Sequence, residues 1–136
     1  MNALDALWRD LLGLAPFPLL GVRPAVGRLI QADEGGPGRT DAVSVLGYST
    51  WQRRFRGDQS VIGQTVSVNG RPCTIVGVAS ADFAGVFAFS ESEVYLPLNW
   101  AGASDFDNRR ARRLHAIARL RAGVTIEKAQ AALSIA

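Results

Sequence analysis

Gly35-Gly36-Pro37-Gly38-Arg39-Thr40 is the first segment whose residue types could do chemistry, because successive backbone N–H groups in a glycine-rich loop can cradle a phosphate. A Walker-type loop also needs a lysine before the Ser/Thr and a helix after it. Here Arg39-Thr40 runs instead into the β-branched stretch Ala42-Val43-Ser44-Val45-Leu46, so the segment Asp33-Glu34-Gly35-Gly36-Pro37-Gly38 reads as an exposed loop. Ser49 is the best-placed serine nucleophile, but Gly47-Tyr48-Ser49-Thr50-Trp51 lacks the second glycine of a Gly-x-Ser-x-Gly elbow. Its spacing to Gln52 is that of a capping box, in which each side chain satisfies a free N–H at a helix start. His115 is the single imidazole, and no spaced Ser/Asp pair points to it.

Carboxylates come in pairs at Asp33-Glu34, at Glu91 with Glu93 and at Asp105 with Asp107. Acid–base hydrolysis of a glycosidic bond needs two carboxylates across a cleft with separated pKa values, and pairs in loops and at strand ends read as solvated instead. Arg109, Arg110, Arg112 and Arg113, followed by Arg119 and Arg121, form the one concentration of charge. That density suits a phosphate backbone, yet no aromatic side chain for base stacking lies between Asp107 and Ala136. With 15 basic and 12 acidic residues the net charge is only +3, and the arginines read as a solvated or protein-facing patch. Cys73 and His115 each stand alone in type, which excludes an internal disulfide and a Cys/His zinc site within one chain. The sequence thus offers no catalytic, cofactor-binding or metal-binding residue and implies no cofactor.

The elements around these residues belong to one ordinary globular chain of 136 residues, 48% hydrophobic and 20% charged. Residues 1–15 place Leu4, Leu7, Trp8, Leu11 and Leu12 at helical spacing with Asp5, Arg9 and Asp10 on other faces, an amphipathic helix too short to span a bilayer and without the basic start of a signal peptide. Pro16, Pro18, Gly21 and Pro24 break it. A strand over Ala42-Val43-Ser44-Val45-Leu46 leads to a helix of about two turns with Trp51 and Phe55 on one face and Gly57 closing it in a left-handed conformation.

The clearest local signal is Thr65-Val66-Ser67-Val68-Asn69-Gly70-Arg71-Pro72-Cys73-Thr74-Ile75, where Asn-Gly supplies the two positive-φ positions of a type I′ hairpin. Pairing Val68 with Arg71 sets Val66 opposite Cys73 and makes Cys73 a small core side chain. Pro72 then needs an edge or bulge beside it. Val76-Gly77-Val78 suggests deeper burial, and Glu93-Val94-Tyr95-Leu96 a short strand stopped by Pro97, with Trp100 in a turn. Ala101 to Arg113 reads as a loop, and Leu114 to Leu120 alternates as a strand with one wetter face. Thr125 caps a last helix with Ala129, Ala132 and Leu133 on one face and Glu127 near its positive end. From the residues alone this is an α+β domain with one firm hairpin.

Leu20-Gly21-Val22-Arg23-Pro24-Ala25-Val26-Gly27-Arg28, then Val43 to Phe55 through Tyr48-Ser49-Thr50-Trp51-Gln52-Arg53-Arg54, then Val61-Ile62-Gly63-Gln64-Thr65 through the hairpin to Val78, occur in an order and spacing that resemble a known family. Val94-Tyr95-Leu96-Pro97-Leu98 and Ala118-Arg119-Leu120-Arg121-Ala122-Gly123-Val124 extend the likeness. The chain resembles the MacB-like periplasmic core domain of ABC transporter permeases, including orphan permeases not fused to an ATPase.

The resemblance implies a β-rich subdomain with the hairpin plus part of a porter-like α/β subdomain. Residues 20–136 would be a partial core domain, and residues 1–19 an atypical N-terminal helix and linker. It implies a non-catalytic extracytoplasmic fragment that relays motion and docks partners in transmembrane export. The partners implied are the rest of the permease with its membrane helices, a separate ATPase subunit and periplasmic proteins, with no nucleic acid. In the parent protein the domain would lie on the periplasmic face, whereas a chain made as written, with neither signal nor anchor, is expected to stay in the cytoplasm. The alternative is a free-standing basic module that uses the loop of Arg109, Arg110, Arg112 and Arg113 on nucleic acid.

Overall fold

The computed structural model describes residues 17–31, 33–35, 40, 42–85, 91–101 and 119–134. Its hairpin joins β3 (Thr65–Val68) to β4 (Arg71–Ala79), with Val68 opposite Arg71 and Val66 opposite Cys73, the register the Asn-Gly turn dictates. Asn69 and Gly70 carry the expected positive φ, 52° and 78°. Cys73 and Ile75 are buried and Val66 and Val68 half-buried, so the hairpin's apolar face points to the core.

β4 is the strand around which the other elements assemble. Thr74 pairs with Thr65 of β3 and also with Val43 of β2 (Val43–Leu46), while Val78 pairs with Leu46 of β2 and with Val26 of β1 (Pro24–Gly27). A strand has two edges, so β1 and β3 must lie end to end along one edge of β4, with β2 along the other. β2 runs parallel to β4, the other pairings are antiparallel, and β5 (Val94–Tyr95) adds to the far side of β2. Pro72 pairs with Ser67, and its edge toward β2 lies past the last pairing at Val43 and Thr74. No ladder bond is lost there.

Both faces of the sheet are covered. One cluster buries Leu46, Trp51, Val61, Ile75 and Val78, and the other buries Phe17, Ile30, Val45 and Ala79. Neighbouring residues Val45 and Leu46 go to opposite clusters, as the pleat requires. Ile75 and Val78, three apart, go to the same one. The pairing with β2 skips Val76, since Ser44 pairs with Ile75 and Val45 with Gly77, and this bulge resets the alternation.

α1 (Phe17–Leu20) delivers Phe17 edge-on to Tyr95 and Phe83, with ring centroids 5.1 and 5.9 Å away. Neither this turn nor β1 is expected from the sequence pattern, and the expected helix over residues 1–15 lies outside the described residues.

α2 (Tyr48–Phe55) has the expected length and buries Trp51, whose Nε1 donates to the Asp58 carbonyl at 2.8 Å. The capping box does not form. The helix begins earlier, on Gly47, and its first turn has no side-chain cap. The Gly47 N–H donates to the Glu93 carbonyl at 2.9 Å, and a β-carbon on Gly47 would collide with the Ser92 carbonyl. Sheet packing at this corner sets the helix start. Ser49 therefore falls inside the first turn, and its Oγ and that of Thr50 are buried with no hydrogen-bond partner. At the other end Gly57 is left-handed as expected (φ 71°), but Arg56 before it is left-handed too (φ 55°, ψ 29°) and is the cap residue.

Trp100 lies in a 3-10 turn, Leu98–Ala101. Of the expected strand from Leu114 to Leu120, residues 114–118 lie outside the described residues, and Arg119 and Leu120 are not in a strand. α3 (Ile126–Ser134) starts at Thr125 as anticipated, its Oγ1 accepting from the Lys128 N–H at 3.3 Å. Bonds from the Glu127 backbone N–H and from Thr125 hold the Glu127 carboxyl below its ordinary value. None of α3 is buried. The fold is α+β, the class the sequence implies.

Candidate interaction surface

The charged side chains of the described surface tie loops to the sheet. Arg28, directly after β1, forks onto Glu34, with Nη1 to Oε2 at 2.9 Å and Nη2 to Oε1 at 2.7 Å. Glu34 Oε2 also accepts from the Gln31 N–H at 2.8 Å, which closes the turn after Ile30. These bonds and the nearby carboxylates stabilise the charged guanidinium and raise the Arg28 pKa against the cost of burial. Arg53 and Arg54 on α2 face Glu91 and Glu93 across N–O distances of 3.8–3.9 Å. All four side chains are more than half exposed, so these pairs hold the strand end by weak, salt-sensitive attraction. At the hairpin tip the Arg71 guanidinium sits 4.4 Å over the Trp100 ring and donates to the Trp100 carbonyl at 2.9 Å.

The residues singled out for chemistry are not brought into one site. Gly35 is buried, its α-carbon closed in by Pro97 and Leu98, so the glycine-rich segment is anchored at its start and is not wholly exposed. Residues 36–39 lie outside the described residues. Asp33 is exposed, Glu34 is bound by Arg28, and Cys73 is buried. His115, Asp105, Asp107, Arg109, Arg110, Arg112 and Arg113 lie outside the described residues. Arg121 is exposed, while Arg119 donates to the Leu19 carbonyl at 2.6 Å. Burial raises the Tyr95 phenol pKa. Among the described residues no group of His, Cys, Asp and Glu could hold a metal ion, and no helix is long and apolar enough to cross a membrane.

The sequence reading missed the Arg28–Glu34 fork and the Arg71–Trp100 stack. Asn69-Gly70 could have signalled the second only as far as the hairpin tip, because Trp100 comes to it through the tertiary fold.

A family model described as the MacB-like periplasmic core domain matches residues 10–136. The chain belongs to the MacB-like periplasmic core domain family. This is a domain family of ABC transporter permeases, and the five-stranded mixed sheet with its small helices is its fold. The periplasmic region of MacB from Actinobacillus actinomycetemcomitans superposes with a TM-score of 0.57 at 21% identity, over 88% of this chain and 50% of that one. A domain of a putative permease protein from Porphyromonas gingivalis superposes with a TM-score of 0.55 at 24% identity, over 89% of this chain and 54% of that one. The chain therefore spans about half the length of these solved structures. Comparison with curated proteins gives no match.

Proposed function

We propose that this MacB-like domain is a non-catalytic part of an ABC-type export permease, which docks periplasmic partners and relays movement driven by ATP hydrolysis on a separate subunit. The family match over residues 10–136 carries the reading. The partition proposed is a core-domain portion over residues 20–136, preceded by an atypical helix and linker over residues 1–19. Its localisation in the parent protein would be the periplasmic face of the membrane.

The physical support is stiffness. A relay must move as a body, and here one strand is paired along both edges, with apolar clusters on both faces and three sets of arginine contacts holding the connecting loops.

The test uses the complete permease carrying this domain, reconstituted into vesicles with its ATPase. Export and ATP hydrolysis are followed with and without a saturating antibody fragment raised against the folded domain. A rigid load on a moving, docking element should slow export and its coupling to hydrolysis. Unchanged export at saturation would exclude the reading.

A further inference from the structure

We propose that residues 91–101 form a strap that lifts from the sheet as one unit and uncovers the outer edge of β2, its closed state held in part by charges that salt screens. The strap's hold on the sheet is short. β5 has two residues, and its register with β2 consists of two pairs, Val45 with Tyr95 and Leu46 with Val94. It is the last strand in the sheet order, whereas β4 is paired along both edges.

The strap is clipped at both ends by arginines that belong to the body of the fold. At its start Arg53 and Arg54 of α2 face Glu91 and Glu93 at 3.8–3.9 Å, and the Gly47 N–H donates to the Glu93 carbonyl at 2.9 Å. At its end Arg71 of β4 lies 4.4 Å over the Trp100 ring and donates to the Trp100 carbonyl at 2.9 Å. Between the clips the Tyr95 ring meets Phe17 and Phe83, and Pro97 closes over Gly35, so the closed state dominates. Exposed ion pairs contribute at most about 1 kcal/mol each, and a segment fastened this way opens at a lower free energy than the body unfolds. Opening leaves the main chain of Val45 and Leu46 unpaired on that edge, where another strand could add. This inference does not depend on the transport reading.

Residue-resolved hydrogen exchange on the 136-residue chain tests it. The Gly47 amide reports the strap, because its acceptor is there. The Trp51 amide, donating to the Gly47 carbonyl, reports α2, and the Thr74 and Ile75 amides, bonded to Ala42 and Gln64, report the body. Raising sodium chloride from about 0.02 M to about 0.5 M shortens the screening length from roughly 20 Å to roughly 4 Å. Gly47 exchange should then quicken by about threefold or more relative to the other three amides, and by about tenfold in the double variant Glu91→Arg, Glu93→Arg. Arg71→Gln, at the far end, should also quicken Gly47 by about threefold, which separate loosening of each contact would not do. Gly47 exchange indifferent to salt would overturn the latch, and indifference to Arg71→Gln would overturn the single unit. Trp51 quickening in step with Gly47 would assign the opening to α2 and overturn the proposal as well. Should the double variant lose protection at Thr74 and Ile75, the salt series on the parent chain and Arg71→Gln decide.

Discussion

Gly77 lies against the carbonyl of Arg28 so closely that no β-carbon fits between them. The contact is made where β1 leaves the sheet, with Arg28 N–H donating to the Val76 carbonyl at 3.0 Å. Backbone stands on both sides of the gap, and only a shift of β1 away from β4 could admit a methyl group. Gly77→Ala should therefore cost about 2 kcal/mol or more, the upper range for overpacking in a buried site. Urea unfolding checks this, and an unchanged midpoint would mean that β1 is not seated on β4 as described.

The hairpin turn gives a second expectation. Gly70 has a φ of 78°, where a β-branched side chain is strained, and a β-carbon there would meet nothing within 4 Å. Conformation alone should then set the cost of Gly70→Val, on the order of 2 kcal/mol. A melting temperature equal to that of the parent would count against the turn.

Arg56 predicts a gain. It is the left-handed cap of α2 without being a glycine, with its N–H bonded to the Trp51 carbonyl. Arg56→Gly removes that strain and gives back part of it as entropy of the unfolded chain, for a net stabilisation of about 0.5 kcal/mol. Arg56→Val should destabilise. Thermal melts of the pair should move in opposite directions.

Asp58 ties stability to acid. Its carboxylate accepts from the Ser60 N–H and hydroxyl, both at 2.8 Å, and these bonds hold its pKa below the ordinary 3.8. The folded value lies below the unfolded one, so the carboxylate's contribution is complete above the ordinary value and is lost as pH falls through the folded value. Asp58→Asn keeps an acceptor and removes the titration. Its melting temperature should fall less steeply than the parent's between about pH 5 and pH 2, and parallel curves would refute the assignment.

What the sequence made legible was local. Asn69-Gly70 sets its own turn and register, and Thr125 caps its own helix, because each depends on residues a few positions away. The capping box at Ser49 failed because the Ser92 carbonyl, brought by β5, occupies the corner where Gly47 begins the helix. β1 was hidden because Pro24–Gly27 is largely exposed and has no alternation to read. The Arg28–Glu34 fork was hidden for another reason: arginine and glutamate six apart in an irregular segment have no spacing rule. Of the surface described, the hairpin that carries Arg71, the helix that carries Arg53 and Arg54 and the short strand after Glu93 could be placed in advance, but not the contacts that join them.

The end-to-end seating of β1 and β3 on one edge of β4 also orders events on the ribosome. β1 and β2 leave the exit tunnel first, but neither has its partner until β4 follows, whereas β3 meets β4 across two turn residues. Synthesis from the N-terminus thus produces two strands that must wait, exposed, for the hairpin to serve as their template. A nascent chain emerged only as far as Thr74 would hold a complete hairpin beside an unpaired β1 and a β2 with one partner in place, a state open to chaperones and to misassembly.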